Sequence, residues 1–244
     1  MQQDPAILTA LLGTAVTIAF VHTAIGVDHT LPFIALARAR RWSLTRLWAV
    51  VLVCGLGHVG SSIVLGGVGL GLDVALERME WVEGARGRWA SWLLIVFGLV
   101  LLVRGLLRRS RAHTHSHVHV HGDGVVHSHH HNHLGEHHRH PHGGLEVQQA
   151  GRFGVWGLFI IFVFGPCEPL IPLLMAPAAM HHWSWVLAVV LAFAGVTIAV
   201  MLAIVTAAHL GLRRLPLGSL ERHADVMSGG AIALSGLAVR VLGI

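Results

Sequence analysis

The sequence predicts an all-α membrane protein with six transmembrane regions, arranged as a 3+3 inverted repeat with broken first and fourth helices. Three observations predict it. The chain of 244 residues is 54% hydrophobic and only 12% charged, its mean hydropathy is +0.67, and several apolar runs exceed the ~18 residues that mark a spanning helix. A segment of the first half reappears, in step, in the second half. Glycines and prolines interrupt two of the apolar runs at the positions of two carboxylates.

In chain order, the expected regions are Pro5 to Ala37, Leu47 to Leu72, Trp89 to Leu107, Phe153 to Ala179, Trp185 to Leu210 and Val226 to Ile244. The first starts too near Met1, and lacks the basic start, for a cleaved signal. As one straight helix it would extend ~50 Å against a hydrocarbon core of ~30 Å. A break is therefore expected at Gly26 and Pro32, and in the fourth region at Gly165, Pro166, Pro169, Pro172 and Pro177, because proline removes a backbone donor and clashes with the preceding turn. Unwound backbone at membrane depth is tolerated where it lines a cavity.

The repeat rests on Asp28-His29-Thr30-Leu31-Pro32 matching Glu168-Pro169-Leu170-Ile171-Pro172 at a constant offset. Arg41-Trp42-Ser43 matches His182-Trp183-Ser184 after a slip of one residue, and Gly98-Leu99 with Arg104 echoes Gly236-Leu237 with Arg240. Three regions per half force the second half to enter from the opposite side. Charge agrees. All 17 basic residues are arginine; Arg38, Arg40, Arg41 and Arg46 follow region one, Arg108, Arg109, Arg111 and Arg152 flank the third connection, and Arg213 and Arg214 follow region five. By the positive-inside bias these connections are cytoplasmic and both termini lie outside. The high sequence pI reflects the absence of lysine, so no nucleic-acid partner is inferred.

Of the 12 acidic residues, only Asp28 and Glu168 are expected well inside a span. Ionisable groups at membrane depth are candidates for a functional site, and carboxylate with imidazole suits a divalent metal. His22, Asp28 and His29 share region one, His58 sits among small residues in Gly57-His58-Val59-Gly60 of region two, and Cys167 precedes Glu168. Cys54 reads as a packing thiol, and two cysteines support no disulfide framework. His209 reads as interfacial, and Arg104 and Arg240 as snorkelling from span ends.

Between the two repeats, taken as residues 1–110 and 151–244, residues 111–150 form a low-complexity tract. It holds 14 of the 21 histidines: His113, His115, His117, His119, His121, His127, His129, His130, His131, His133, His137, His138, His140 and His142. Such a tract builds no apolar core and is expected to be a disordered cytoplasmic loop that chelates divalent metal.

These residues resemble the nickel/cobalt transporter superfamily, including the nickel/cobalt efflux proteins and the urease-associated nickel transporter-like proteins. The resemblance covers nearly the whole chain. It rests on His22 with Asp28-His29, on Gly57-His58, on Pro166-Cys167 and on the histidine-rich loop. It departs at one point: five residues separate His22 from Asp28, where the family signature has four.

The resemblance implies transport of a divalent cation, nickel or cobalt first and zinc next; the inverted repeat implies alternating access, and a cytoplasmic histidine loop that collects metal slightly favours efflux over uptake. The expected metal ligands are Asp28, His29, His58, His22, Glu168 and Cys167, with protons a candidate coupling ion and no enzymatic activity. The setting would be the lipid bilayer of a bacterial inner membrane. Two alternatives stand beside it. Sulfite and related anion exporters share a related architecture, although a buried arginine is not evident. Thiol-disulfide electron carriers need a cysteine in each half, and Val27 occupies the position equivalent to Cys167.

Overall fold

Both long apolar regions that sequence length makes too long for one helix are divided. The computed structural model describes residues 5–111, 115–120, 126–131, 144–213 and 223–242, with side chains over 5–107, 154–212 and 223–242. The first region becomes α1 (Pro5–Ile25), a single 3-10 turn (Val27–His29) and α2 (Leu31–Ala39). The fourth becomes α5 (Gly144–Phe164) and α6 (Leu170–Ala179). Between them lie α3 (Leu44–Gly71) and α4 (Leu76–Arg111), and after them α7 (Trp183–Arg213) and α8 (Ala224–Leu242).

This is an α-helical membrane protein. Among the described residues five helices, α1, α3, α4, α7 and α8, are long and apolar enough to cross a bilayer, while the apolar parts of α5 and α6 are shorter. Large apolar side chains stand exposed along them, among them Phe20, Leu56, Val64 and Leu191, a pattern that lipid accepts and water does not. Two buried clusters fill the interior. One gathers around Phe33 and Leu36 of α2 with Leu47, Val51, Phe97, Leu158 and Met201. The other gathers around Leu170 and Leu174 of α6 with Ala15, Ala19, Val59, Cys167 and Phe193. The short half-helices are thus the hearts of the two cores.

α2 and α6 end in the same way. Trp42 N donates to Ala37 O at 2.9 Å across Arg41, whose φ is 48°, and His182 N donates to Pro177 O at 3.0 Å across His181, whose φ is 56°. Each is a left-handed C-terminal turn that satisfies orphan carbonyls. The two turns lie at the same offset that separates Asp28 from Glu168.

α4 packs most extensively on α8. At Gly98 a Cβ would strike Ala233 N and Gly229 O, and at Gly236 a Cβ would strike Ile95 N and Ser91 O. Only hydrogen at these positions lets two backbones approach so closely.

Two expectations are corrected. α4 begins at Leu76 instead of Trp89, so Glu77, Arg78, Glu80, Glu83, Arg86 and Arg88 belong to a helix, and the connection before it shrinks to a few residues. Hydropathy detects apolar runs, whereas Glu83 and Arg86 extend the helix by pairing with each other across one turn at 2.6 Å. The central tract is also partly ordered. His115–Val120 pairs antiparallel with Val126–His131, setting His115 opposite His131, His117 opposite His129 and His119 opposite His127. The β-branched Val118, Val120 and Val126 favour extended backbone. His113, His121, His133, His137, His138, His140 and His142 lie outside the described residues.

Candidate metal centre

The break after α1 puts three ionisable groups where a regular helix could not. Gly26 N donates to His22 O at 2.9 Å, closing α1, and His29 N donates to Gly26 O at 3.1 Å, opening the 3-10 turn. His29 then swings inward and is buried, while Asp28 remains partly open. A Cβ at Gly26 would collide with the His29 ring, so glycine is needed for the ring to fold back over the break.

His29 Nδ1 lies 2.9 Å from Asp28 Oδ1, and His58 Nδ1 lies 3.3 Å from Phe162 O. A carboxylate and a carbonyl can only accept, so each partner assigns the ring proton to Nδ1. The two Nε2 atoms face each other at 3.3 Å, an approach that requires either a second proton on one ring, donated to the other, or a cation shared by two lone pairs. Nitrogen lone pairs so placed repel unless a cation lies between or beside them. An imidazole whose other nitrogen is held by a carboxylate or carbonyl is also the usual state of a metal-ligating histidine.

His22 completes the row, its ring centroid 4.8 Å from that of His29, which is in turn 5.0 Å from that of His58. Ligand atoms of His22, His58 and Cys167 all lie within 4.8 Å of one another. Donors around a tetrahedral transition-metal ion sit ~3.3–3.7 Å apart, so this trio lies about 1 Å from closing on one. His22, the residue whose spacing departs from the family signature, belongs to the group. The structure brings His22, Asp28, His29, His58 and Glu168 to one cavity of about 440 Å³, with Cys167 buried beside it.

The second break is braced from outside. Arg86 of α4 donates to Val163 O at 2.9 Å and Gly165 O at 3.4 Å, the carbonyls left open where α5 stops, and to Ser61 Oγ of α3 at 2.7 Å. Its other amino group holds Glu83, which is fully buried. Cys167 N donates to Ser62 Oγ at 3.1 Å. A guanidinium is suited to this because its planar fork serves several acceptors at once.

The sequence reading missed Glu83, Arg86, Ser61 and Ser62. The helical spacing of Glu83 and Arg86 was the available signal, hidden by assigning both to a connection. Arg88 and Arg240 also line the cavity, although both are exposed, so neither is the buried arginine an anion site would call for. His209, expected at the interface, is buried. Cys54 and Cys167 are free and belong to different cores, so the geometry offers no thiol pair.

Compared with models of protein families, with curated proteins and with solved structures, the chain matches none.

Proposed function

We propose that this protein transports divalent transition-metal cations, nickel or cobalt first, through a site formed by His22, His29, His58 and Cys167. One observation carries the reading: two buried Nε2 atoms 3.3 Å apart, each ring fixed by an acceptor on its Nδ1. Asp28 then orients His29 and balances charge more than it ligates, and Glu168 faces the same cavity from the other break. Zinc would fit the donor set as well.

The reading includes six membrane regions as a 3+3 inverted repeat, with transport by rocking of the halves around the fixed site. Two registers support the repeat. The left-handed turns at Arg41 and His181 carry the same hydrogen bonds at corresponding residues. At the α4 and α8 crossing, one constant offset takes Ser91, Ile95 and Gly98 to Gly229, Ala233 and Gly236, and the contacts of Gly98 become those of Gly236 under it. A two-fold axis through the crossing accounts for that exchange. On this reading the central histidine tract lies in the cytoplasm of a bacterial cell and collects metal before efflux, and protons are the counter-ion.

The guanidiniums of Arg88 and Arg240 on the cavity wall favour a second reading, export of sulfite or a related anion. Flux into proteoliposomes separates the two when Ni²⁺, Co²⁺, Zn²⁺ and sulfite are compared on the full chain and on His58→Ala and Cys167→Ser. Metal flux that falls in both variants is the expected result. Sulfite flux alone, or metal flux untouched by either change, would overturn the assignment.

A further inference from the structure

A second cavity, of about 260 Å³, opens between the end of α2, the end of α7 and the start of α8. Its polar lining consists of Arg38, Arg41, Trp42 and His209, and Ala224 brings the first turn of α8 to it. Among the described residues no carboxylate lines it. The nearest acidic group of α8, Asp225, lies outside the lining and faces Arg40 at 4.0 Å. The remaining lining includes the apolar Ile34 and Leu212.

Among the described residues, every charged or hydrogen-bonding side chain on this wall is a cation or can donate. Trp42 is the most telling. Its ring is 4% exposed, Arg46 stacks over it at 5.2 Å, and its indole Nε1 is buried with no acceptor among the described residues. An indole N–H can only donate, and a buried donor without an acceptor is seldom left so. The start of α8 adds backbone N–H groups that have no partner within the helix, together with the positive end of its dipole.

We propose that this cavity binds a phosphate group, held by Arg38 and Arg41 through their forked N–H donors, by the Trp42 indole and by the first turn of α8. Arginine pairs recognise phosphate oxygens through parallel hydrogen bonds. The volume admits one such group, and the apolar Ile34 and Leu212 beside it suit the glycerol and first methylenes of a phospholipid. Basic pockets between membrane helices take lipid headgroups in this way. The site shares no lining residue with the metal centre and stands whether or not metal is transported.

The test uses the purified full chain in neutral detergent, with thermal unfolding and native mass spectrometry as readouts. The probes are phosphatidylglycerol, phosphatidylcholine and inorganic phosphate. Phosphatidylglycerol is expected to raise the melting temperature and remain bound where phosphatidylcholine does neither, with affinity falling about tenfold in Arg41→Gln through loss of one charged pair. Trp42→Phe keeps the ring in the core and removes only the N–H, and a smaller loss is expected from it. Stabilisation by inorganic phosphate, lost in the same variants, would also uphold the site and identify its ligand as the free ion. Equal response to both lipids and to phosphate, or binding undiminished in Arg41→Gln and Trp42→Phe, would overturn it.

Discussion

The two helix breaks occupy corresponding places but are held by different means. The break at Gly26–Thr30 supports itself: its backbone groups bond one another, and its histidine is oriented by the adjacent aspartate. The break at Gly165–Pro169 also makes backbone bonds of its own, Gly165 N to Ile161 O and Leu170 N to Cys167 O, but its Val163 and Gly165 carbonyls and its Cys167 N take further partners from α3 and α4, in Arg86 and Ser62. One break needs room for an imidazole; the other needs a brace. Two helix breaks in one chain can therefore be held by different stabilising contacts.

The largest expected effect falls on the braced side. Arg86→Met leaves Glu83 buried without its cation and the Val163 and Gly165 carbonyls open, which is expected to cost about 3–5 kcal/mol. Chemical unfolding in detergent measures it. A loss below that of a surface substitution would mean that the second break supports itself after all. Arg86→Lys should recover part of the loss, since it restores charge without the fork.

The crossing of α4 and α8 sharpens the comparison, because there Gly98 and Gly236 each meet the backbone of the opposite helix. Gly98→Ala and Gly236→Ala are each expected to destabilise by about 1–3 kcal/mol through overpacking. Similar costs in the two variants support the two-fold relation, and a strongly one-sided result argues against it.

At the breaks themselves, Gly26→Ala should disturb the site more than Gly165→Ala. A Cβ at Gly26 collides with the His29 ring, whereas at Gly165 it would stand 3.2 Å from His58 Nδ1 and could be relieved by a small shift. Titration of Ni²⁺ or Co²⁺ on protein lacking the histidine tract should show the greater loss of affinity for Gly26→Ala, by about tenfold, equivalent to 1.4 kcal/mol. The smallest effect is expected for Ser62→Ala, which removes one acceptor for Cys167 N and should cost about 1 kcal/mol. Its thermal unfolding should shift by only a few degrees.

The membrane character, the two breaks and the residues His22, Asp28, His29, His58, Cys167 and Glu168 were legible in the sequence. Apolar length, proline placement and isolated ionisable groups are local signals, set by the exclusion of unpaired polar groups from hydrocarbon. The helical start of α4 was not legible as an apolar run, because Glu83 and Arg86 satisfy each other and need no hydropathy. The ordering of His115–Val120 against Val126–His131 depends on which backbone segment finds which, and composition does not state that.

By itself, then, the sequence determined which groups must be kept from lipid and where the helices must break, since both follow from the chemistry of residues along one chain. Only the tertiary structure decided how those groups meet: that His29 and His58 bring their Nε2 atoms to 3.3 Å, that ligand atoms of His22 and Cys167 lie within 4.8 Å, and that a guanidinium from α4 closes the end of α5. Each is a contact between separate helices, fixed by packing and by the need of every buried donor and acceptor for a partner.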